Sequence, residues 1–334
     1  MRVGKNPAST FDTLASHRRH RILVPVYIPH TNEYFADALE ILQLCLRSLR
    51  ATINKQAGNE QVAVTLIANG CCDEALQVLE TEFAAGWLDQ LCVNQTNRGK
   101  VDAIISVARG SFEPLLTFAD ADVLFHPGWL QKVEAVFAHF PDCGFVSPMP
   151  NPTKHWYNSS ATLWAAKLRG ELRRAKVVSD AALDAFAQSI GNPAYFPAEV
   201  RQSQWIVERN GQQAVVGAGH FVCTLRREVL AAMPKHAALK GYDSNADQRW
   251  LDQPPDALGF WRLATTEALV AHLGNVAEPW MHERLADIEA HSTNNMASHN
   301  VPPPPAWHVG KIIPYGVRRL GIRAVRKMQR LFSR

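Results

Sequence analysis

Apolar residues in the first half of the chain occur in two kinds of pattern, short continuous runs and longer stripes with helical spacing. Residues 22–27 and 62–69 are apolar runs typical of buried strands, and the second run leads into the turn pair Asn69-Gly70. Between the runs, apolar side chains recur every three or four residues, which predicts a helix with one buried face. The residues of this stripe are Phe35, Leu39, Leu42, Leu46, Leu49 and Ile53.

The same alternation continues as far as residue 120. Residues 73–85 and 99–108 favour helices, whereas residues 91–93 and 115–119 favour strands. Strands that alternate with helices form parallel βαβ units with helices on both faces of one sheet, and ligands bind beyond the carboxyl ends of such strands. The predicted fold class is therefore α/β. Three polar residues are expected at the ligand-binding edge of the sheet: Asn69, Asn97 and Asp120.

Two carboxylates, Asp120 and Asp122, follow the apolar strand at residues 115–119. Residues two apart on an extended chain point the same way, so both acids can face one hard cation and its phosphate ligands. Mn²⁺ or Mg²⁺ fits such an oxygen-rich site. A solvated turn without a ligand is the alternative interpretation of the same pair.

Four sequence blocks, in this order, resemble family 2 glycosyltransferases of the GT-A fold. They are Val24-Pro25-Val26-Tyr27, Ala68-Asn69-Gly70-Cys71-Cys72-Asp73, Asn97-Arg98-Gly99-Lys100-Val101-Asp102-Ala103 and Phe118-Ala119-Asp120-Ala121-Asp122. The resemblance implies a Rossmann-like, mostly parallel sheet and a nucleotide-sugar donor. It also implies an inverting transfer to a saccharide or a lipid-linked acceptor, of the kind found in bacterial surface-polysaccharide assembly.

The resemblance assigns roles to individual residues. In the family, residues at these positions contact the donor, which implies donor binding by Pro25, Tyr27, Asn69, Asn97, Arg98, Lys100, Asp120, Gly217 and Gly219. The metal ligands implied are Asp122 and Asp120, with His272 completing the metal shell. For His272, a purely structural role is the alternative.

Three of these positions have open alternatives. The family often has two acids where this chain has Ala68 and Asn69, and Asn69-Gly70 also suits a tight turn without a ligand role. Gly217 and Gly219 lie in a run, residues 215–222, that favours a strand, where glycine permits either a close ligand or tight packing.

The catalytic base is expected in the segment from Gly241 to Leu251. An acidic helix start followed about a dozen residues later by a glycine and a strand resembles the family, and this spacing places Asp247 as the base with Asp243 as the alternate. An inverting transfer needs a carboxylate that accepts the proton of the attacking hydroxyl. Helix capping by either acid is the alternative.

The predicted organisation of the chain has five parts. A basic extension is followed by a nucleotide-sugar half and an acceptor half of one GT-A domain, then by a helix with a proline-rich linker, and last by a basic amphipathic tail. Residues 151–213 form an acceptor-side insertion with a helix at 160–176. The five segments are 1–20, 21–150, 151–276, 277–310 and 311–334.

Charge is concentrated in the tail. Residues 311–334 contain eight basic residues and no acid. Because the whole chain has a formal net charge of +4, residues 1–310 have a net charge of −4. An apolar helical stripe lies among these cations, which favours an amphipathic helix on an anionic membrane surface. Packing of the tail on the enzyme body and contact with nucleic acid are the alternatives, and no nucleic-acid motif supports the latter. The stripe consists of Val317, Leu320, Ala324, Met328 and Leu331.

Composition supports a globular enzyme, since 47% of the 334 residues are hydrophobic and 20% are charged. The six cysteines show no metal-binding or disulfide spacing, and no signal peptide or membrane span is recognisable, so a cytoplasmic location, with peripheral contact with the inner face of the membrane, is expected. Rival classes are a haloacid-dehalogenase-like phosphotransferase, a sugar nucleotidyltransferase and a non-catalytic nucleotide-sugar-binding scaffold.

Overall fold

A computed structural model describes Gly4 and residues 18–53, 61–239, 244–291, 300–306 and 309–332. Asp243, the alternate base, and most of the basic extension at 1–20 lie outside these residues. Within helix 315–332, the side chains of Met328 and Leu331 are likewise outside the described part.

The first half alternates strands and helices as the hydrophobic pattern predicts. The strands are β1 (His20–Val26), β2 (Val62–Asn69), β3 (Gln90–Asn94) and β4 (Leu115–Ala119), and the helices are α1 (Ala38–Ile53), α2 (Asp73–Ala84) and α3 (Lys100–Gly110). A short 3-10 turn, Glu33–Phe35, precedes α1.

The second half contains shorter elements. Its strands are β5 (Val123–Phe125), β6 (Cys143–Ser147), β7 (Leu172–Ala175), β8 (Gln204–Arg209), β9 (Gln212–Val215), β10 (Val222–Arg226), β11 (Trp261–Ala264) and β12 (Val270–His272). Its helices are α4 (Trp129–His139), α5 (Ser160–Leu168), α6 (Asp180–Ser189), α7 (Ala198–Gln202), α8 (Ser244–Asp247), α9 (Gln253–Leu258), α10 (Pro279–His291) and α11 (Tyr315–Phe332). A π-helical turn, Gln248–Asp252, joins α8 to α9.

In the described residues, ten strands form one sheet in the order β3-β2-β1-β4-β10-β6-β11-β9-β8-β7. β1 to β4 are parallel neighbours, β10 is antiparallel to β4 and β6, and β6 pairs in parallel with β11. β12 pairs separately with β5. The sheet confirms the predicted α/β class.

Helices cover both faces of the sheet because side chains on each strand alternate between two cores. On β1, Ile22 and Val24 join the core that contains residues of α1, α2 and α4. Leu23 joins the opposite core, which contains Ile104 of α3 and Leu183 of α6. The carboxyl ends of β1, β2 and β4 therefore meet at one edge that both layers support.

Three local predictions were wrong in the second half. The helix expected at 160–176 ends at Leu168, because Gly170 adopts φ +67° and the chain turns into β7. The strand expected at 215–222 is interrupted between β9 and β10 by the segment that contains Gly217. The sequence also favours Thr224 as the cap of a helix at 226–233, but Thr224 lies inside β10 and Arg227–Ala232 forms a 3-10 turn.

The tail forms the expected helix, α11, and one face of it packs on the rest of the protein. Arg318 is fully buried and donates hydrogen bonds to the carbonyl oxygens of Ile313 (2.5 Å) and Asp256. A Cβ at Gly321 would lie 2.7 Å from the ring of Trp164 in α5, so the two helices are in close contact. In the described chain, no helix is both long enough and apolar enough to cross a bilayer.

Candidate functional site

A cleft of about 500 Å³ opens at the carboxyl ends of β1, β2 and β4. Seven of the residues predicted from the sequence to bind donor or metal line it: Pro25, Tyr27, Asn69, Asn97, Lys100, Asp120 and Asp122. The aromatic rings of Tyr34 and Phe35 complete one wall. The cleft thus combines apolar and aromatic walls with a charged floor, as nucleotide sites in this class of fold require.

Asn69 holds the turn at the bottom of the cleft. Its amide nitrogen donates to Asn97 Oδ1 at 2.9 Å, and its Oδ1 accepts from the backbone N–H of Arg98 at 3.0 Å. Gly70 has φ +81°, and a Cβ there would lie 2.6 Å from the backbone nitrogen of Asn97. These contacts account for Asn69-Gly70 as a tight turn. Arg98 contributes backbone here, and its side chain is not part of the cleft lining.

Lys100 begins α3 and forms an ion pair with Asp120. Burial alone would lower the pKa of Lys100, but the charges of Asp120 and Asp247 outweigh it and raise the pKa. The lysine therefore stays protonated and supplies a fixed positive charge between carboxylates that come from the two halves of the chain.

Asp122 and His272 are brought together by the pairing of β5 with β12. The backbone N–H of Leu273 donates to the carbonyl oxygen of Asp122 at 2.8 Å, and His272 Nε2 lies 3.5 Å from Asp122 Oδ2. Burial and the neighbouring charge of Asp120 raise the pKa of Asp122, and His272 opposes this shift. The carboxylate and the imidazole are thus adjacent, with Asp122 in the lining of the cleft and His272 in the lining of a neighbouring pocket.

Asp122 and His272 could provide two ligands of a metal ion whose other ligands are substrate phosphates or water. Asp122 Oδ1 and His272 Nδ1 are buried and accept or donate no hydrogen bond within the described chain. No cluster of three or more acidic, histidine or cysteine side chains in that part of the chain could hold a metal by itself. One or two carboxylates plus substrate phosphates is a common arrangement for Mg²⁺.

Asp247, from the second half of the chain, is close enough to Lys100 for their charges to interact, although it does not line the cleft itself. It ends α8 rather than starting a helix, its Oδ2 lies 3.6 Å from His220 Nε2, and its Oδ1 is buried without a hydrogen-bond partner among the described residues. Burial raises the pKa of Asp247, while Lys100 and His220 oppose this shift. A carboxylate with a raised pKa and a free oxygen is well suited to accept a proton.

Asp247 is followed by a chain of charged side chains, half-buried at His220 and fully buried at Asp252 and Arg262, that the sequence pattern did not predict. His220 Nδ1 lies 2.9 Å from Asp252 Oδ2, and Arg262 Nη2 donates to Asp252 Oδ1 at 2.6 Å. Asp252 and Arg262 are both fully buried. The i, i+5 spacing of Asp247 and Asp252 gave no helical signal, because the π-helical turn that places both acids near His220 has no recognised sequence pattern.

Burial alone would lower the pKa of His220, but the hydrogen bond to Asp252 and the charge of Asp252 outweigh it, so the pKa is raised. The pKa of Asp252 is lowered, because Arg262 and His220 outweigh the effect of its burial. The lowered pKa favours the ionised form of Asp252, which bonds to His220 and in turn favours the protonated ring.

Gly217 and Gly219 do not line the cleft. Gly217 has φ +132°, and a Cβ there would lie 2.4 Å from the carbonyl oxygen of Asn151, so tight backbone packing accounts for this glycine. At Gly219 a Cβ would meet only the ring of Phe221, at 3.8 Å. A donor-binding role for either glycine stays a prediction.

Residues 26–186 match the sequence model of the family described as Glycosyl transferase family 2. This segment contains the last residue of β1, all of β2 and β4, and the Asp120-Ala121-Asp122 motif. The match confirms the resemblance that the four sequence blocks predicted and identifies a glycosyltransferase domain over residues 26–186. No curated protein matches the chain.

Solved structures with similar folds include a mannosyltransferase from Pyrobaculum calidifontis in complex with GDP-Man and Mn²⁺ (13% identity, 87% of this chain, 67% of the other, TM-score 0.44). Glucosyl-3-phosphoglycerate synthase from Mycobacterium tuberculosis, with Mn²⁺, UDP and phosphoglyceric acid, has 14% identity over 82% of this chain and 76% of its own (TM-score 0.42). GalNAc-T7, with UDP, GalNAc and Mn²⁺, has 11% identity over 82% of this chain and 48% of its own (TM-score 0.45).

Proposed function

We propose that the protein transfers a sugar, with inversion, from a nucleoside-diphosphate donor to a saccharide or lipid-linked acceptor, with the help of Mn²⁺ or Mg²⁺. The main observation behind the proposal is that carboxylates from both halves of the chain lie close to Lys100. Asp120 and Asp122 approach it from the first half of the chain and Asp247 from the second. The family match over residues 26–186 favours this reaction over phosphotransfer.

The donor half of the site would hold the charged leaving group. Tyr27, Asn97 and Asp120 line the cleft where a nucleoside would lie, and Asp122 with His272 would hold the cation. The cation, when bound, supplies Lewis-acid stabilisation of the diphosphate that leaves. Lys100 adds a fixed positive charge next to the same phosphates, which lowers the free energy of the departing anion.

Asp247 is our candidate for the base, and Asp243 stays the alternate. The base must be ionised before the reaction and must bind the acceptor hydroxyl proton during it. The positive charges of Lys100 and His220 favour the ionised form, while burial strengthens its affinity for a proton. Asp252 orients His220 through a hydrogen bond. In this proposal Asp247 is the base and Asp252 is a positioning residue.

A thermal-shift screen of nucleotide sugars with and without Mn²⁺ tests the donor half, because a ligand that binds only the folded protein raises its melting temperature. We expect Asp122→Ala to lose the Mn²⁺-dependent shift and the transfer activity but to keep its fold. The exposed acid Asp287 provides the matched control, Asp287→Ala, which should retain both. Full activity of Asp122→Ala with its true donor would contradict the site.

Asp247→Asn tests the acceptor half. The variant should keep the donor-dependent thermal shift and lose turnover, because asparagine preserves the shape of the side chain but accepts no proton. Persistent turnover would exclude Asp247 and make Asp243→Asn the next variant. A wild-type protein that binds a nucleotide sugar but transfers it to no acceptor would instead support the non-catalytic scaffold.

We further propose that α11 contacts an anionic membrane surface. Val317 and Leu320 remain 56% and 65% exposed although the opposite face of the helix is packed on the body. Exposed Lys327 lies beside them. An apolar stripe next to a cation matches the chemistry of an anionic bilayer surface.

Flotation with vesicles tests the membrane contact. Val317→Ser combined with Leu320→Ser should abolish flotation with vesicles of phosphatidylcholine and phosphatidylglycerol, and pure phosphatidylcholine should bind the wild type less strongly. Phe83→Ser, which removes an apolar side chain from an exposed position on α2, is the matched control. Equal flotation of the double variant and the wild type would refute the role of the stripe.

A further inference from the structure

A second pocket, of about 480 Å³, lies between the body of the enzyme and α11. We call it the tail pocket. Four cationic side chains line it: Lys154, Arg319, Arg323 and Arg326. Aromatic and small polar side chains form the rest of the lining, among them Trp156, Tyr157, Tyr195, Asn158 and Ser159.

The cations of the tail pocket have no anionic partners in the described chain. Arg319, Arg323 and Arg326 form no ion pair with any described carboxylate. The carboxylate of Asp256, in the pocket lining, is 1% exposed and already accepts hydrogen bonds from Ser160 Oγ at 2.9 Å and from a backbone N–H. The pocket is therefore a concentration of uncompensated positive charge.

The packing of α11 determines which of its arginines line the tail pocket. Arg318 is buried against Asp256 and Ile313, so the next residue, Arg319, and its helical neighbours at i+4 and i+7 turn toward the pocket. Lys327 is exposed and does not line the pocket. A specific set of arginines, rather than the whole basic tail, is thus directed inward.

The tail pocket adjoins the acceptor side of the candidate site. Gln248, in its lining, directly follows Asp247. Tyr157, also in the lining, has its pKa raised by burial and then by the charge of Asp252, which places the ring next to the buried acid behind His220. A molecule that fills the pocket therefore reaches the neighbourhood of the base without entering the donor cleft.

We propose that the tail pocket binds a phosphate or diphosphate group of the acceptor, so that the acceptor is a phosphorylated saccharide. The inference rests on the proposed glycosyl transfer and specifies the acceptor class for it. Arginine side chains recognise phosphate through paired, charge-assisted hydrogen bonds. The aromatic rings of Trp156 and Tyr195 line the same pocket as the arginines, and a sugar attached to the phosphate would stack on them. In this arrangement α11 is part of the acceptor site.

Inorganic pyrophosphate in EDTA is the first probe, and calorimetry measures its affinity for the full chain. We expect Arg323→Gln combined with Arg326→Gln to weaken binding at least tenfold, since each lost charge-assisted hydrogen bond accounts for roughly a tenfold change. Lys327→Gln removes a cation from the same helix outside the pocket and should change the affinity less than twofold. No binding to the wild type, or equal weakening in both variants, would overturn the proposal.

Two further probes distinguish the source of the phosphate. Phosphatidylcholine vesicles that contain farnesyl diphosphate represent a lipid-linked acceptor, and glucose 1-phosphate represents a soluble one. Preferential binding of either probe, lost in the double arginine variant, supports the pocket and assigns the source. Binding of both probes that survives the double variant overturns it.

The donor-dependent thermal shift, measured on the same variants, separates this inference from the proposed function. An Mn²⁺-dependent shift in the double arginine variant equal to that of the wild type shows that the fold and donor cleft are intact. A wild type that binds pyrophosphate as expected but no nucleotide sugar would refute the glycosyl transfer and leave the anion site standing.

Discussion

The buried pair of Arg262 and Asp252 gives a sharp test of how charge is organised in the second half of the protein. Both side chains are fully buried, and Arg262 Nη2 donates to Asp252 Oδ1 at 2.6 Å. Arg262 Nη1 donates to the carbonyl oxygen of Tyr157 at 2.7 Å. Arg262→Met keeps the length of the side chain but leaves Asp252 with His220 as its remaining charged partner.

The expected loss of stability is about 3–5 kcal/mol, the usual cost of removing one partner of a buried ion pair. Domains of this kind are stable by roughly 5–15 kcal/mol, so the variant should remain partly or wholly folded at 25 °C. Lys132→Met is the matched control, because Lys132 and Glu267 form an ion pair at 3.0 Å with side chains 56% and 58% exposed. Its expected cost is about 1 kcal/mol or less.

Urea denaturation at several pH values measures the effect and tests its cause. In the wild type the pKa of Asp252 is lowered by Arg262 and His220, so its contribution to stability is present above the pKa of the unfolded chain and disappears as the pH falls through the folded value. Without Arg262 the pKa of this buried acid rises. The difference in free energy of unfolding between variant and wild type should therefore narrow as the pH falls, first through the raised pKa of the variant and then, below about pH 4, through the lowered pKa of the wild type.

Two outcomes would refute this reasoning. A cost for Arg262→Met no larger than that of Lys132→Met would show that the buried pair is energetically equivalent to a solvated one. A large cost that stays constant from neutral to acid pH would assign the loss to packing rather than to the uncompensated charge of Asp252.

Further changes test separate parts of the structure. His220→Gln removes a cation beside Asp247, so the acid limb of the kcat/KM profile should move to higher pH, whereas the exposed-site variant His282→Gln should leave it in place; an unmoved limb contradicts the coupling. Gly217→Ala forces a Cβ into a backbone carbonyl at φ +132°, and urea denaturation should show a loss of about 1–3 kcal/mol. Gly321→Val should separate α11 from α5, seen as faster limited proteolysis of the tail; an unchanged cleavage rate contradicts this packing.

The first half of the fold was predictable because local pattern and final structure agree there. The stripe from Leu39 to Ile53 became α1, and the runs around residues 22–27, 62–69 and 115–119 became neighbouring parallel strands. In this type of sheet the carboxyl ends of the strands lie at one edge, so the clustering of the polar residues that follow them needs no long-range information. Asn69, Lys100 and Asp120 accordingly meet in one cleft.

The second half was less predictable because its contacts join residues distant in sequence and its elements depart from regular periods. Arg262 donates to the carbonyl oxygen of Tyr157 across more than a hundred residues. The π-helical turn of Gln248–Asp252 follows no 3.6-residue pattern, and the antiparallel β7, β8 and β9 were hidden in a segment with helical spacing at its start. Polar residues such as Asp252 carried no signal until the fold placed them next to His220.

In the tail helix α11, a buried arginine determines which face of the amphipathic helix packs on the rest of the protein. The sequence stripe suggested that apolar residues would face either a membrane or the enzyme, yet Arg318 is the residue that is buried. Its guanidinium donates hydrogen bonds to the carbonyl oxygens of Ile313 and Asp256. The carboxylate of Asp256 in turn accepts a hydrogen bond from the backbone N–H of Ala161, near the start of α5. Because this contact fixes the rotation of α11, Leu320 points outward and Arg323 points to the tail pocket. The proposed membrane-facing stripe and the tail pocket therefore lie on two faces of the same helix, so a change that frees the helix should impair both vesicle flotation and pyrophosphate binding.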